Sequence, residues 1–206
     1  MSAERAPESE SAAWATVEMP ARPGDVLAYC RDVGMLLRLN PYLEIRAWEE
    51  APGPFAPGKR YRLHALNEWT GIERTLELEI EQADDTGFRV AYSEGLKHAL
   101  EARVAPHQSG AALTLKEHYR EPDGADRAAL HREIDRSVTP WAAAVRRDFV
   151  RLRRWGRSAA YLRWRRFWLG MRPRERRIGR LIAWVGALEF VVFLFVFAIY
   201  WNEASR

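Results

Sequence analysis

The C-terminal part of this chain contains an apolar segment that is long enough to cross a lipid bilayer. Leu181–Trp201 comprises 21 residues, contains no proline and has Glu189 as its only charged residue. A helix of this length rises about 30 Å, the thickness of the hydrocarbon core. Trp184 lies near one end and Tyr200 near the other, as is typical of rings at the headgroup level. A buried core helix is the alternative, but a chain of 206 residues has little core to surround it. The sequence therefore predicts a transmembrane helix, followed by a short tail at 202–206.

Charged residues are distributed unevenly on the two sides of this helix. Residues 146–180 contain fourteen arginines and two acidic residues, whereas residues 1–145 contain 17 basic and 24 acidic residues. Because basic flanks stay on the cytoplasmic side, we expect a single-pass protein of the bacterial inner membrane with a cytoplasmic N-terminal part. Residues 1–12 have no signal-peptide core and are predicted to be a disordered leader. The single cysteine, Cys30, fits a reducing compartment.

Residues 156–180 combine arginines with aromatic residues just before the transmembrane helix. This composition is typical of a helix in the interface of an anionic membrane, so lipid is the predicted partner and nucleic acid is not. The two alternatives differ in what they require, since lipid binding needs the aromatic rings, whereas nucleic-acid binding depends mainly on the arginines and on salt. The predicted membrane-interface residues are Arg154, Trp155, Arg163, Trp164, Arg166 and Trp168.

Two features of the apolar segment are compatible with a transmembrane partner or a homodimer. Glu189 would cost about 2.5–3.5 kcal/mol near the bilayer centre, so it either contacts another helix or a headgroup, or is a tolerated acid that snorkels. Small residues recur every four positions at Gly179, Ala183 and Ala187, which permits close packing of two helices.

Residues 13–155 are predicted to form one domain, rich in strands. A first strand is expected at 14–19 and one or two short helices within 23–43, and strict alternation of Leu76, Leu78 and Ile80 with polar residues predicts a half-buried antiparallel strand. Short spacings with turn residues between the strands favour hairpins. The predicted extended segments after the short helices are 43–50, 59–66, 72–82, 87–94, 98–106 and 111–120.

A long helix is predicted after the last strand, because apolar residues there recur in steps of three and four. Pro140 falls inside this pattern and is expected either to kink the helix or to mark a restart. The predicted apolar stripe is Ile134, Val138, Trp141, Val145, Phe149 and Leu152.

This order of elements resembles the helix-grip fold of the START/Bet v 1-like (SRPBCC) superfamily, which includes polyketide cyclase-like and coenzyme Q-binding proteins. The resemblance covers roughly residues 12–155 and is carried by WATVEMPARPGDVLAYCRDVGMLLRLNPYLEIRAWEE and by the terminal helix. It implies an α+β fold with a curved antiparallel sheet of about 6–7 strands, two short helices and a long C-terminal helix. It also implies a hydrophobic cavity between sheet and long helix for a lipid, sterol, terpenoid, quinone or polyketide. The chain departs from the family pattern after Leu152, where it continues into the arginine-rich segment and the membrane helix, and this departure disfavours a freely diffusing cyclase.

Strand alternation predicts which side chains face such a cavity. The inward set is mostly apolar with a few polar groups, which is usual for a small-molecule site. The predicted ligand-binding residues are Tyr61, Arg74, Leu76, Leu78, Phe88, Val90, Tyr92, His98, Leu100, Leu115, Glu117, Tyr119 and Trp141.

The polar members of this set leave two interpretations open. Arg74, His98 and Glu117 either orient a ligand headgroup or act in acid–base chemistry on a carbonyl; alternatively, Arg74 and Glu117 form an ion pair with His98 as a polar neighbour, since a buried charge needs a partner. No metal-ligand spacing and no nucleotide-binding glycine motif occurs, so no metal, cofactor or catalytic residue is predicted. The predicted function is membrane-tethered binding of a hydrophobic small molecule, with or without its transfer. A polyketide cyclase/dehydratase-like enzyme and a non-catalytic membrane adaptor are the alternatives.

Overall fold

A computed structural model of the chain describes residues 11–120 and 127–204. Residues 1–10 of the predicted leader lie outside this part of the chain. The chain divides into two compact units, the first ending at Leu169 and the second beginning at Gly170.

The first unit is built on an antiparallel sheet of seven strands in the order β1-β7-β6-β5-β4-β3-β2. Consecutive strands from β2 to β7 are neighbours, as expected for strands joined by short turns, while β1 pairs with β7 and β2 forms the other edge. The strands are β1 (Ser11–Met19), β2 (Leu43–Glu50), β3 (Arg60–Asn67), β4 (Ile72–Ala83), β5 (Gly87–Tyr92), β6 (Lys97–His107) and β7 (Gly110–Tyr119).

The fourth strand illustrates why these segments form a sheet with one buried face. Leu78 and Ile80 are fully buried, whereas Glu77 between Leu76 and Leu78 is exposed. Successive side chains of a strand point to opposite faces, so one set reaches the core and the other reaches solvent. The half-buried strand predicted from this alternation is confirmed.

Two short helices, α1 (Pro23–Cys30) and α2 (Val33–Arg38), connect the first two strands. Pro23 occupies the first turn of α1, where its missing N–H costs no hydrogen bond. Asp32 caps α2, because its carboxylate accepts a hydrogen bond from the Met35 N–H at 2.9 Å. Helix α1 contacts β6 and β7 and α2 contacts β2, so the two helices cover the same sheet.

The long helix α3 (Arg127–Trp155) lies against β1 and β7. It continues through Pro140, so the alternative of a restart at that residue is wrong; the buried stripe on both sides of the proline holds the helix against the sheet. The side chain of Ile134 lies outside the described part of the chain. The buried residues of the stripe are Val138, Trp141, Val145 and Phe149. Together with the sheet topology, this helix confirms the predicted helix-grip α+β fold.

Two further helices follow, α4 (Ala159–Gly170) and α5 (Pro173–Ala204). The 30 residues Pro173–Asn202 of α5 include a stretch with a mean hydropathy of 2.5, none of which is buried. By length and composition, this helix is able to cross a membrane. It begins before the predicted Leu181, because the arginine-rich residues that precede the apolar run are also helical.

Candidate functional site

A cavity of about 220 Å³ opens at one end of the sheet, where β3, β5 and β7 end and β4 and β6 begin. Further walls come from the segment after α2 and from the turns between β3 and β4 and between β5 and β6. None of the described side chains of α3 lines it. The apolar lining residues are Tyr42, Leu43, Leu63, Ala65, Trp69, Ile72, Leu76, Tyr92, Leu96 and Tyr119, and the others are Asn40, Asn67, Thr70, Arg74, Glu94, Gly95, Lys97 and Glu117.

An ion pair between Lys97 and Glu117 forms the polar end of this cavity. The Lys97 ammonium donates to one carboxylate oxygen of Glu117, and the Tyr119 hydroxyl donates to the other. Glu117 is only 2% exposed, because it follows Leu113 and Leu115 on the inward face of β7. A carboxylate can remain charged in such a place only when both oxygens are paired.

The Lys97 side chain lies between two aromatic rings. Its Nζ atom is 5.3 Å from the ring centroid of Tyr92 and 5.3 Å from that of Trp141, within cation–π range. Burial by itself would lower the pKa of Lys97, but attraction to the Glu117 carboxylate raises it above its usual value. Burial raises the pKa of Tyr92, and the Lys97 cation opposes this rise only in part. At neutral pH, Lys97 is therefore a cation and the Tyr92 hydroxyl keeps its proton.

Arg74 lies in the exposed part of the cavity. A Cβ atom added at Gly95 would lie 2.8 Å from Arg74 Nη1, and the φ of +100° at Gly95 also favours glycine, so the β5–β6 turn leaves space for the guanidinium. Within the described residues Arg74 has no carboxylate partner, and Glu117 pairs with Lys97 instead. The alternative in which Arg74 and Glu117 form an ion pair is therefore wrong.

The structure places the predicted ligand-binding residues in three environments. Arg74, Leu76, Tyr92, Glu117 and Tyr119 line the cavity. Seven others are buried, but they pack in the core and do not line this cavity, because α1, α2 and α3 fill the rest of the inward face of the sheet. Their role in ligand binding stays a prediction. These seven are Tyr61, Leu78, Phe88, Val90, Leu100, Leu115 and Trp141.

The inward position predicted for His98 is wrong. A β-bulge between Lys97 and Ala99 shifts the register against β7, so that Lys97 rather than His98 faces the cavity. His98 instead contacts Arg89 and His118 on the outward face of the sheet, with its Nε2 atom 3.5 Å from Arg89 Nη2. Strict alternation counted back from Leu100 gives the wrong face, since a single extra residue reverses every side chain beyond it.

Sequence reasoning missed the residues of the turns that border the cavity. Trp69 is 53% exposed at the tip of the β3–β4 hairpin and packs edge to face on Tyr42, with ring centroids 5.8 Å apart. Ile72 and Leu96 are exposed beside it. A tryptophan between two predicted strands is the one sequence signal that marked this edge, since turn formation itself does not require an aromatic residue.

The exposed face of α4 carries arginines and aromatic rings. Phe167 is 67% exposed, and Trp168 is half-buried and stacks on Trp164 with centroids 5.5 Å apart. The exposed members of the predicted membrane interface are Arg154, Trp155, Arg163, Trp164 and Arg166.

The opposite face of α4 is fixed to α1 and α3 by Arg165. Its Nε atom lies 3.0 Å from Asp148 Oδ1 and its Nη2 atom 2.5 Å from Oδ2, and the Tyr29 hydroxyl donates to Asp148 Oδ2 at 2.7 Å. Burial, reinforced by the Asp148 carboxylate, raises the pKa of Tyr29. Burial would lower the pKa of Arg165, but its hydrogen bonds to Asp148 raise it. Because these contacts hold one side of α4 against α1 and α3, the side with the arginines and aromatic rings is held facing away from them.

Comparisons with known proteins identify the fold. No protein-family model matches the sequence, and no curated protein matches it. Among solved structures, Ara h 8.0201 is similar with a TM-score of 0.51 and 13% identity, covering 69% of this chain and 99% of its own. TTHA0849 from Thermus thermophilus has a TM-score of 0.52 and 19% identity over 68% of this chain and 97% of its own. NE0264 from Nitrosomonas europaea has a TM-score of 0.52 and 10% identity over 69% of this chain and 96% of its own. At these identities the similarity shows a Bet v 1-like fold and no more.

Proposed function

We propose that this protein binds a hydrophobic small molecule in the cavity while α5 tethers it to a membrane. The observation that supports the proposal most directly is the cavity itself, whose walls are mostly apolar and whose polar groups are concentrated in a few side chains. This composition is usual for small-molecule sites and differs from a solvent-filled cleft of mixed polarity.

A membrane tether suits a ligand that dissolves poorly in water. Helix α5 is long and apolar enough to serve as the tether. Attachment would convert the encounter between the cavity and a membrane-dissolved ligand into an event at high effective concentration. The ligand would then reach the cavity without crossing a large volume of water.

Full-length protein purified in detergent is expected to carry about one equivalent of a hydrophobic molecule per chain, detectable by native mass spectrometry and by extraction. The variant Ala65→Phe, which adds a ring at a small buried position of the cavity wall, should purify without it. Wild-type protein that is empty and acquires nothing from a membrane extract would contradict the proposal.

We further propose that the exposed face of α4 lies on anionic lipid. Exposed Trp164 and Phe167 would enter the headgroup region, with Arg163 and Arg166 near lipid phosphates. The backbone amides of α4 should exchange hydrogen about tenfold more slowly in anionic than in zwitterionic nanodiscs, since each arginine near the surface contributes about 1 kcal/mol.

The double variant Trp164→Ser/Phe167→Ser should lose this lipid-dependent protection. Trp14→Ser is the matched control, because Trp14 is about as exposed as Phe167 but lies on β1 rather than on α4. Equal exchange of wild-type α4 in both kinds of nanodisc would contradict lipid contact at this face.

The charge distribution around α5 supports a cytoplasmic position for the first unit, with the C-terminal tail across the membrane. In intact bacterial spheroplasts, a membrane-impermeant maleimide should label Ser205→Cys, whereas Gln108→Cys should react only after lysis. Cys30 gives little background, because it is buried and burial raises its pKa to about 12. The reverse pattern of labelling would reverse the proposed topology.

An enzyme of the cyclase or dehydratase type is a second candidate, favoured by the buried carboxylate of Glu117 beside Tyr119 and Lys97. Both carboxylate oxygens are engaged, which suits positioning of a ligand better than proton abstraction. The variant Glu117→Gln distinguishes the two functions. If the protein is an enzyme, the wild-type protein converts the extracted ligand and this variant does not. In a binding protein, no conversion of that ligand would be found in either wild-type protein or variant.

A further inference from the structure

The formal charges of the cavity lining sum to zero, but they are not all paired with one another. Its described lining contains two cations, Arg74 and Lys97, and two anions, Glu94 and Glu117. At the buried end, the Lys97 ammonium and the Glu117 carboxylate are already paired, and the second oxygen of Glu117 accepts a hydrogen bond from Tyr119. At this buried end, an anionic head group would compete with Glu117 for Lys97 and leave a buried negative charge without a partner, while a cationic group would displace Lys97. Arg74 has no carboxylate partner among the described residues, but it lies in the exposed part of the cavity, where water screens its attraction for an anion.

The Tyr92 hydroxyl is the polar group at the buried end of the cavity that is best placed to hydrogen-bond a ligand. Tyr92 lines the cavity and is 6% exposed, yet its hydroxyl oxygen is buried and has no hydrogen-bond partner of normal geometry in the described part of the chain. The Lys97 ammonium lies close enough to oppose the rise in the pKa of Tyr92, but an ammonium only donates, so among the described residues the hydroxyl proton has no acceptor. Buried polar groups are normally hydrogen-bonded, so an oxygen or nitrogen supplied by a ligand would complete this one. Burial raises the pKa of Tyr92, and the hydroxyl therefore remains available as a donor.

The size of the cavity limits the ligand further. Its volume of about 220 Å³ is below the ~300–1,000 Å³ typical of sites for drug-sized ligands. Apolar walls from Leu43, Leu63, Ala65 and Leu76 surround the remaining space. A compact ring system or short branched chain fits these dimensions better than a two-chain lipid.

We propose that the ligand is a compact, uncharged molecule with one hydroxyl or carbonyl oxygen, which hydrogen-bonds the Tyr92 hydroxyl and the Lys97 ammonium while its apolar body contacts the aliphatic wall. This inference rests on the proposed function and defines the chemistry of the ligand more closely. Lys97 has donors beyond the one directed at Glu117, so it binds a neutral oxygen without leaving the ion pair.

The test compares three probes that share one ring system and differ in the polar group: 2-naphthalenemethanol, 2-naphthoate and naphthalene. Binding to full-length protein in nanodiscs is measured at neutral pH by equilibrium dialysis, with empty nanodiscs subtracted. The alcohol is expected to bind about tenfold more tightly than either the carboxylate or the hydrocarbon, the effect of one favourable hydrogen bond to a charged donor.

The variant Tyr92→Phe keeps the ring and removes the hydroxyl, so it should weaken binding of the alcohol several-fold and leave that of naphthalene unchanged. Equal binding of all three probes, preference for 2-naphthoate, or no change in Tyr92→Phe would overturn this inference. If the probes bind without preference and Ala65→Phe removes all binding, the cavity still binds hydrophobic molecules and only its proposed selectivity fails. If no probe binds and the purified protein carries no extractable molecule, the proposed function itself fails.

Discussion

Replacing Trp141 by alanine is expected to lower the free energy of unfolding by about 3–5 kcal/mol, the range for removing a large aromatic residue from a core. Trp141 is completely buried on α3, and its indole N–H donates to the Leu36 carbonyl oxygen at 2.8 Å. Trp141 therefore connects α3 to α2 and also fills space between α3 and the sheet. The measurement is urea unfolding of the full-length protein in detergent, followed by far-ultraviolet circular dichroism.

Trp141→Phe is the matched control for this prediction. Phenylalanine keeps most of the apolar surface but removes the indole donor to the Leu36 carbonyl oxygen. That oxygen still accepts from the Leu39 N–H at 3.3 Å, so the loss should be about 0.5–1.5 kcal/mol. If the alanine variant were no less stable than the phenylalanine variant, burial of the ring would contribute nothing measurable, contrary to its position in the core.

Lys97→Met is expected to lower the free energy of unfolding by about 3 kcal/mol at neutral pH, the lower end of the range for breaking a buried ion pair. The variant leaves Glu117 with the Tyr119 hydroxyl but without a cation, in a place where it is only 2% exposed. The lower end applies because the Lys97 side chain is itself 26% exposed.

The double variant Lys97→Met/Glu117→Gln is the control, since glutamine keeps an acceptor for Tyr119 and removes the unpaired charge. It should recover more than half of the lost stability. A double variant that is no more stable than Lys97→Met would show that the unpaired charge of Glu117 is not the cause of the loss.

The wild-type protein should lose stability at alkaline pH. Because the pKa of Lys97 is raised in the folded protein, the stability contributed by its charged form is fully present below the unfolded value of about 10.4. That contribution is lost only as the pH rises through the raised folded value. Lys97→Met should lack this transition.

Local periodicity predicted most of the secondary structure of the first unit. The alternation around Leu76, Leu78 and Ile80 persists over one strand and depends on no distant residue, so β4 could be recognised from its own sequence. The spacing of Val138, Trp141 and Val145 predicted α3 for the same reason. Pro140 was harder to interpret, because the burial that holds the helix together around it comes from the sheet.

The location of the cavity could not be read from the sequence. An inward side chain lines a cavity or packs in the core depending on what lies opposite, and this is decided by α1, α2 and α3. Leu100 and Leu115 alternate as regularly as Glu117 does, yet the first two are in the core and Glu117 is at the cavity. The turns that carry Trp69 and Leu96 approach the cavity only because the strands pair in one particular order.

The sequence by itself determined the order of strands and helices along the chain and the presence of an apolar helix able to cross a membrane, because each depends on periodicity or composition within a short segment. The helix-grip architecture was predicted from the resemblance of that order to a known superfamily. Tertiary structure alone decided which charged groups meet. The bulge between Lys97 and Ala99 turns Lys97 inward to Glu117 and places His98 beside Arg89, and a bulge is defined by pairing with a neighbouring strand. The polar end of the cavity, and with it the proposed chemistry of the ligand, therefore follows from a one-residue shift that the sequence of β6 does not reveal.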